Sequence, residues 1–164
     1  MRDVDFKAVY EGVMNQIKEG AFLTVRAGDA LNTMTIGWAT IGIAWRKPIM
    51  MVMVRNSRHT FSLIEKAADF TVSVPSVDAK KALAFCGTKS GRDLDKFKAC
   101  GLKTAPGRNV VSPIIEIPGI HIECRIVYKN PIDPAQLTHD YDSLYPEKDY
   151  HTLYFGEIQA CYEV

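Results

Sequence analysis

Apolar and polar positions recur along this chain with two periods, and the switches between them mark out its elements. Phe6, Val9, Tyr10, Val13 and Ile17 follow helical spacing, with Asp5 placed to cap the helix and Gly20 to end it. Ala21–Ala27 reads as a short strand and Gly28-Asp29 as a turn. Two strand-like runs follow, joined by a turn at Lys47-Pro48. The first interleaves Thr33, Thr35 and Thr40 with Gly37, Ala39, Gly42 and Ala44. The second, 49–54, is apolar on both faces, as in a strand buried in a barrel. Ser57 is placed to cap a helix that carries Phe61, Ile64 and Ala68 inward, and 70–74 forms a strand closed by Pro75. Asp78 starts a second short helix with Ala82, Leu83 and Phe85 apolar. A polar loop over 86–93, a helical turn or two over 94–99 and a turn-rich stretch over 103–113 come next. Residues 120–129 alternate cleanly. Ile120, Ile122, Cys124, Ile126 and Tyr128 point one way, and His121, Glu123, Arg125 and Lys129 the other, which predicts an antiparallel strand with one wet face. Pro131, Pro134 and Pro146 punctuate an irregular segment suited to a lid or an interface loop, and 150–162 is a long last strand containing Gly156. Many strands with a few short helices predict a mainly β fold, a small closed or nearly closed barrel with flanking helices. No repeat, linker or low-complexity tract divides the chain, so 1–164 is expected to be one domain.

Composition narrows this picture. At 164 residues and 47% hydrophobic, the chain can bury a real core. A formal net charge of +1 leaves no nucleic-acid footprint, so each cationic cluster needs its own local explanation. The first residues lack the apolar core of a signal peptide and no apolar run reaches membrane length, so a cytoplasmic protein is expected. Cys86, Cys100, Cys124 and Cys161 are scattered without a C-x-x-C pair and read as reduced thiols.

Candidate chemistry gathers in 32–60. A run with so little side-chain bulk packs a core poorly but lets a flat ligand lie against backbone. It ends in Arg55-Asn56-Ser57-Arg58-His59-Thr60, which supplies guanidinium, hydroxyl and helix-start N–H donors suited to an anion or phosphate. A flat ligand with a phosphate tail fits both. Gly87-Thr88-Lys89-Ser90-Gly91-Arg92 lacks Walker spacing; it is either a loop that closes over a phosphate or ring edge, or a solvated turn. Lys96 follows it with the same two readings. Trp38 and Trp45 are core or ligand-stacking, and Met34, Met50, Met51 and Met53 fill the core. His59, His121, His139 and His151 share no metal-ligand spacing, so no metal is expected. No G-x-S-x-G elbow supports a serine hydrolase. His151, at the head of the last strand, either steers a charged substrate or is an ordinary strand-edge histidine. Lys89 and Arg92 could depress the Cys86 thiol if the fold brings them near it.

Several of these stretches, in order, resemble the flavin reductase-like, FMN-binding split-barrel family, and within it the flavoredoxin-like branch. They are Asn32-x-Met34-Thr35-x-Gly37-Trp38, Trp45-x-Lys47-Pro48, Arg55-x-Ser57-Arg58-x-Thr60, 70–75, 86–97 and His151-x-x-x-Phe155-Gly156-Glu157-Ile158. The resemblance implies a six-stranded antiparallel split barrel that forms a homodimer with FMN near the subunit interface. It implies that Asn32, Met34, Thr35, Trp38, Ala39 and Thr40 run beside the flavin ring and ribityl chain. Arg55, Asn56, Ser57, Arg58 and Thr60 would hold the phosphate. Cys86, Gly87, Ser90, Gly91 and Lys96 would close one side, and His151 would stand near a nicotinamide. The implied activity is an FMN-dependent oxidoreductase, an NAD(P)H:flavin reductase. The alternative is a flavoredoxin-like electron carrier that serves a redox protein partner and has no NAD(P)H site of its own. A split barrel that binds haem or only senses a ligand is the third reading.

Overall fold

The Asp5 carboxylate accepts the Lys7 N–H at 2.9 Å and opens α1 (Phe6–Glu19), which buries Val13 and Ile17. Gly20, at φ 123°, ends it by donating its N–H to the Gln16 and Ile17 carbonyls. The computed structural model describes residues 1–164. A two-residue strand, β1 (Arg2–Asp3), precedes this helix. Next come β2 (Ala21–Ala27), β3 (Ala30–Ile36), β4 (Ala39–Ala44), β5 (Lys47–Arg55), α2 (His59–Ile64) and β6 (Asp69–Pro75). The second half runs α3 (Lys80–Thr88), α4 (Lys96–Cys100), β7 (Thr104–Ala105), β8 (Ile114–Ile115) and β9 (Gly119–Pro131). A 3₁₀ turn (Pro134–Gln136), α5 (His139–Asp142) and β10 (His151–Glu163) complete the chain.

One antiparallel sheet carries the fold, in the order β3-β2-β6-β9-β10-β5-β4, with β1 added on β10. Its two end strands, β3 and β4, are consecutive in the chain and separated only by Gly37-Trp38. The sheet therefore curls until its ends nearly meet, yet they share no ladder. This is a split barrel with a seam. The path holds seven strands rather than the expected six, because Gly37-Trp38 breaks the first run in two. Leu23, Val25, Val52, Val54, Phe70, Val72, Ile122 and Tyr154 lie in its core, under the cover of α1 and α2.

Some local expectations shift. The β4–β5 turn is Trp45-Arg46, at φ 50° and 59°, and Lys47 and Pro48 already belong to β5. A two-residue hairpin loop of this kind, with positive φ at both positions, excludes proline, whose φ is fixed near about −65°. Pro48 instead pairs toward β4 alone, before β5 meets β10 at Ile49. Ser57 does not cap α2. Arg58 holds that place without a side-chain bond, and the Ser57 hydroxyl donates to Asp149 at 2.5 Å. Cys86, Gly87 and Thr88 finish α3, so the polar loop is shorter than expected. The wet face of β9 is dry over its first half. His121 sits between Ser73 Oγ and the Ile117 carbonyl, each at 3.0 Å. The Glu123 carboxylate accepts the Arg108 and Asn109 N–H groups at 2.7 Å and the Tyr162 hydroxyl at 2.6 Å. The turn-rich segment folds over this face and hides both side chains. Tyr128, expected inward, is exposed beside Trp45 and Phe155.

Candidate functional site

The start of α2, the end of α3, the loop after it and α4 converge on β3 and enclose a cavity of about 110 Å³. Asn32 on β3 is buried and donates through Nδ2 to Thr60 Oγ1 at 2.8 Å. Arg58 reaches the Gly87 carbonyl at 3.0 Å, tying α2 to α3. Arg92 donates to the Ser57 carbonyl at 3.0 Å and ties the loop back to the same corner. Gly91 is required there by packing, because a Cβ would lie 2.3 Å from Asn32 Oδ1 and 2.9 Å from the His59 ring.

The electrostatics of this cavity are one-sided. Arg58, Lys89, Arg92 and Lys96 line it, and none of them forms a salt bridge. Lys96 is only 4% exposed, and its ammonium donates to the Cys86 and Thr33 carbonyls at 2.8 and 3.0 Å. Burial lowers its pKa from the ordinary lysine value. His59 is likewise held low, by burial and then by Arg92 and Lys96. Its Nδ1 is the one buried side-chain polar atom of the chain without a hydrogen-bond partner. Burial and the neighbouring Cys100 push the Cys86 thiol up to about 12, with only partial relief from Lys96. That thiol stays protonated.

A second cavity of about 150 Å³ lies beside the first, and Met34 and Arg58 line both. It opens at the barrel seam, between Gly37-Trp38 on one side and Met53, Arg55 and His151 on the other. The indole of Trp38 lies 4.9 Å from the His151 ring and is 41% exposed. His151 Nδ1 is 2.8 Å from the Tyr145 hydroxyl. Burial, then Arg55, lowers the pKa of His151 from 6.5 to about 4, so the ring is neutral near pH 7. The Arg55 guanidinium stands 5.3 Å over the Tyr145 ring.

Most of the residues singled out from the sequence meet here. Asn32, Met34, Ser57, Arg58, Thr60, Cys86, Gly87, Ser90, Gly91 and Lys96 line the first cavity. Met34, Thr35, Trp38, Arg55, Arg58 and His151 line the second. The Thr35 hydroxyl is already engaged, donating to the Leu83 carbonyl at 2.6 Å. Ala39 and Thr40 line neither cavity, because the chain crosses the seam at Trp38 and pairs them with Val52 and Met51. Asn56 turns away too, accepting from Thr152 Oγ1 at 2.9 Å. Trp45 sits at the far hairpin, edge-on to Tyr128 and Phe155. His59, Lys89 and Arg92 belong to the site as well; they lie within the two donor-rich stretches read from the sequence but not among the residues that the resemblance assigns to the flavin. Tyr145 and Asp149 come from the irregular segment, where no sequence signal marked them. The Asp149 carboxylate accepts both the N–H and the hydroxyl of Ser57, at 3.1 and 2.5 Å.

The geometry sets an anion-seeking pocket beside an aromatic slot, and comparison with known proteins bears on what fills them. The family model for the flavin reductase like domain matches residues 17–164. The chain belongs to the flavin reductase-like family. A curated relative of this flavin reductase-like protein, an uncharacterised protein of Pyrococcus abyssi, is 30% identical over 135 residues, covering 81% of this chain and 66% of that one. Among solved structures, flavoredoxin of Desulfovibrio vulgaris is 26% identical, with a TM-score of 0.68 over 88% of this chain and 69% of that one. An FMN-binding protein from Thermus thermophilus with bound p-hydroxybenzaldehyde is 25% identical, with a TM-score of 0.68 over 88% and 71%. This flavin reductase-like chain thus spans about two thirds of the length of these proteins.

Proposed function

We propose that this flavin reductase-like protein binds FMN across the two adjacent cavities and works as an FMN-dependent oxidoreductase that takes hydride from NAD(P)H. The observation that carries this reading is the cluster of unpaired cations around the unpartnered His59 Nδ1. A buried ammonium with no counter-charge is costly, and a phosphate dianion is a compact way to offset it. Arg58, Lys96, the Thr60 hydroxyl and the glycine-rich loop at Ser90-Gly91 would hold the phosphate. Met34, Thr35 and Trp38 would flank the ring in the seam cavity, which water would leave as the ring enters. When bound, FMN supplies the electron and hydride chemistry that no side chain here possesses. His151, neutral and buried, offers a hydrogen bond there without adding charge. We further propose a cytoplasmic homodimer in which a second copy covers the exposed indole of Trp38 near the flavin.

The likeness to a flavoredoxin favours a second reading, an electron carrier that serves a redox protein partner without its own NAD(P)H site. An absorption spectrum of the purified protein, before and after anaerobic NADH or NADPH, separates the two. A flavin band that bleaches supports the reductase, and one that persists supports the carrier. A colourless protein that stays so after incubation with FMN overturns both.

A further inference from the structure

His151 heads β10 opposite Arg55 of β5, and its ring is buried between Trp38 and Tyr145. An imidazole in that place has two possible neutral forms, and which one is present decides what it can do to a ligand. The Tyr145 side chain settles the matter by hydrogen-bond accounting. Tyr145 is 2% exposed and its hydroxyl has one partner in the protein, His151 Nδ1 at 2.8 Å. If Nδ1 carried the proton and donated it to the phenol oxygen, the phenol O–H would be left in the interior with no acceptor, which is costly. The economical arrangement has the phenol O–H donating to Nδ1. Burial raises the Tyr145 pKa above the ordinary phenol value, so the hydroxyl keeps its proton for this role.

The other nitrogen then carries the ring proton. His151 Nε2 has no hydrogen-bond partner within the protein, yet it is not sealed in, since His59 Nδ1 is the only enclosed polar side-chain atom that lacks one. Nε2 therefore faces accessible space, and the cavity that His151 lines is the one between Trp38, Met53 and Arg55. We propose that Tyr145 is a positioning residue, which fixes His151 as the Nε2–H tautomer and presents that N–H as a hydrogen-bond donor to an acceptor atom of the ligand in the seam cavity. The ligand chemistry this suits is a neutral or anionic acceptor on a flat ring system, a carbonyl oxygen or a ring nitrogen. The assignment of a ring to this cavity rests on the proposed function, whereas the tautomer does not.

The groups facing His151 reinforce the neutral donor. Arg55 from β5 and Arg58 before α2 oppose a positive charge on the ring, and only Asp149 favours one. Trp38 contributes an aromatic face and Tyr145 its hydroxyl. Tyr145 is in turn braced by Tyr150, whose ring centroid is 4.9 Å away and whose hydroxyl donates to Asp142 at 2.6 Å. This bracing gives the irregular segment before β10 a task, which is to hold one phenol still.

The test is nuclear magnetic resonance on protein carrying ¹⁵N-labelled histidine, without any flavin, at pH 7. Long-range ¹H–¹⁵N correlations report which ring nitrogen of each histidine is protonated. The expected wild-type result is a single His151 tautomer with a bare Nδ1 and a protonated Nε2. In Tyr145→Phe, checked for a native melting curve, the expected result is a mixture of both tautomers. His151 should also titrate at higher pH there, because its neutral form has lost a hydrogen bond. A wild-type His151 protonated at Nδ1 overturns the proposal with no variant needed. So does a Tyr145→Phe protein whose tautomer and titration match the wild type. A protein that never binds FMN but shows the expected tautomer would sink the flavin reading and leave the role of Tyr145 intact.

Discussion

His151 couples the site to the stability of the molecule through its proton. Its pKa falls from 6.5 to about 4 on folding, chiefly because burial penalises the charged ring. Between those values the unfolded chain binds a proton that the folded chain refuses. The contribution of His151 to stability is therefore whole above pH 6.5, declines as the pH falls toward 4 and is flat below. A fully released proton is worth about 1.4 kcal/mol for each pH unit of that window. His59 and His121 are also held low by burial and act in the same direction. Denaturant unfolding at pH 7 and pH 5 should thus show a loss of stability on acidification, and the loss should be smaller in His151→Gln. Equal losses in the two proteins would mean that His151 titrates as it does in water.

Among the elements, β10 is closely hemmed in. It lies between β9 and β5 and passes closest to its neighbours at Gly156, beside a register shift in its pairing with β9. A Cβ at Gly156 would stand 2.6 Å from Cys124 Cβ and 2.7 Å from Phe70 Cζ, both fully buried. Gly156→Ala should therefore cost about 1–3 kcal/mol through overpacking, read as a lower denaturant midpoint at unchanged slope. An unchanged midpoint would mean that the two strands can part without cost. That a glycine interrupts a strand is visible in a sequence, but what it makes room for is not. The same division runs through the other elements. The first helix, the apolar run of β5 and the donor-rich Arg55–Thr60 stretch were legible because their signals are local: a period, a cap, a cluster of donors. The burial of His121 and Glu123 was not, since it depends on a turn-rich segment folding back over β9. Ala39 and Thr40 left the site because the chain crosses the barrel seam, which no period announces. Tyr145 and Asp149 act through single contacts with distant residues, and no local pattern marks them.

At the scale of the molecule, charge is balanced overall and concentrated in one place. The net charge is +1, yet four unpaired cations share a single cavity near the seam where β3 and β4 fail to pair. Such a molecule has little long-range field to draw in an anion, so selectivity has to come from contact within the cavity. A ligand with a phosphate tail should gain there what the same ring without the tail cannot, while both find the same aromatic slot. Hydrogen bonds to a charged group contribute about 1.5–3 kcal/mol each. Two of them would therefore separate FMN from riboflavin by a factor of about 100 or more in Kd. Because Lys96 is buried and Arg58 half-buried, added salt should erode this difference only slowly, whereas inorganic phosphate should compete with FMN and leave riboflavin binding nearly unchanged. Fluorescence titrations of the apoprotein with both flavins, with and without phosphate, measure all of this together. Equal affinities for the two flavins would assign the cations to holding the loop at Gly91 and α4 in place, and the ring slot alone would then carry the binding.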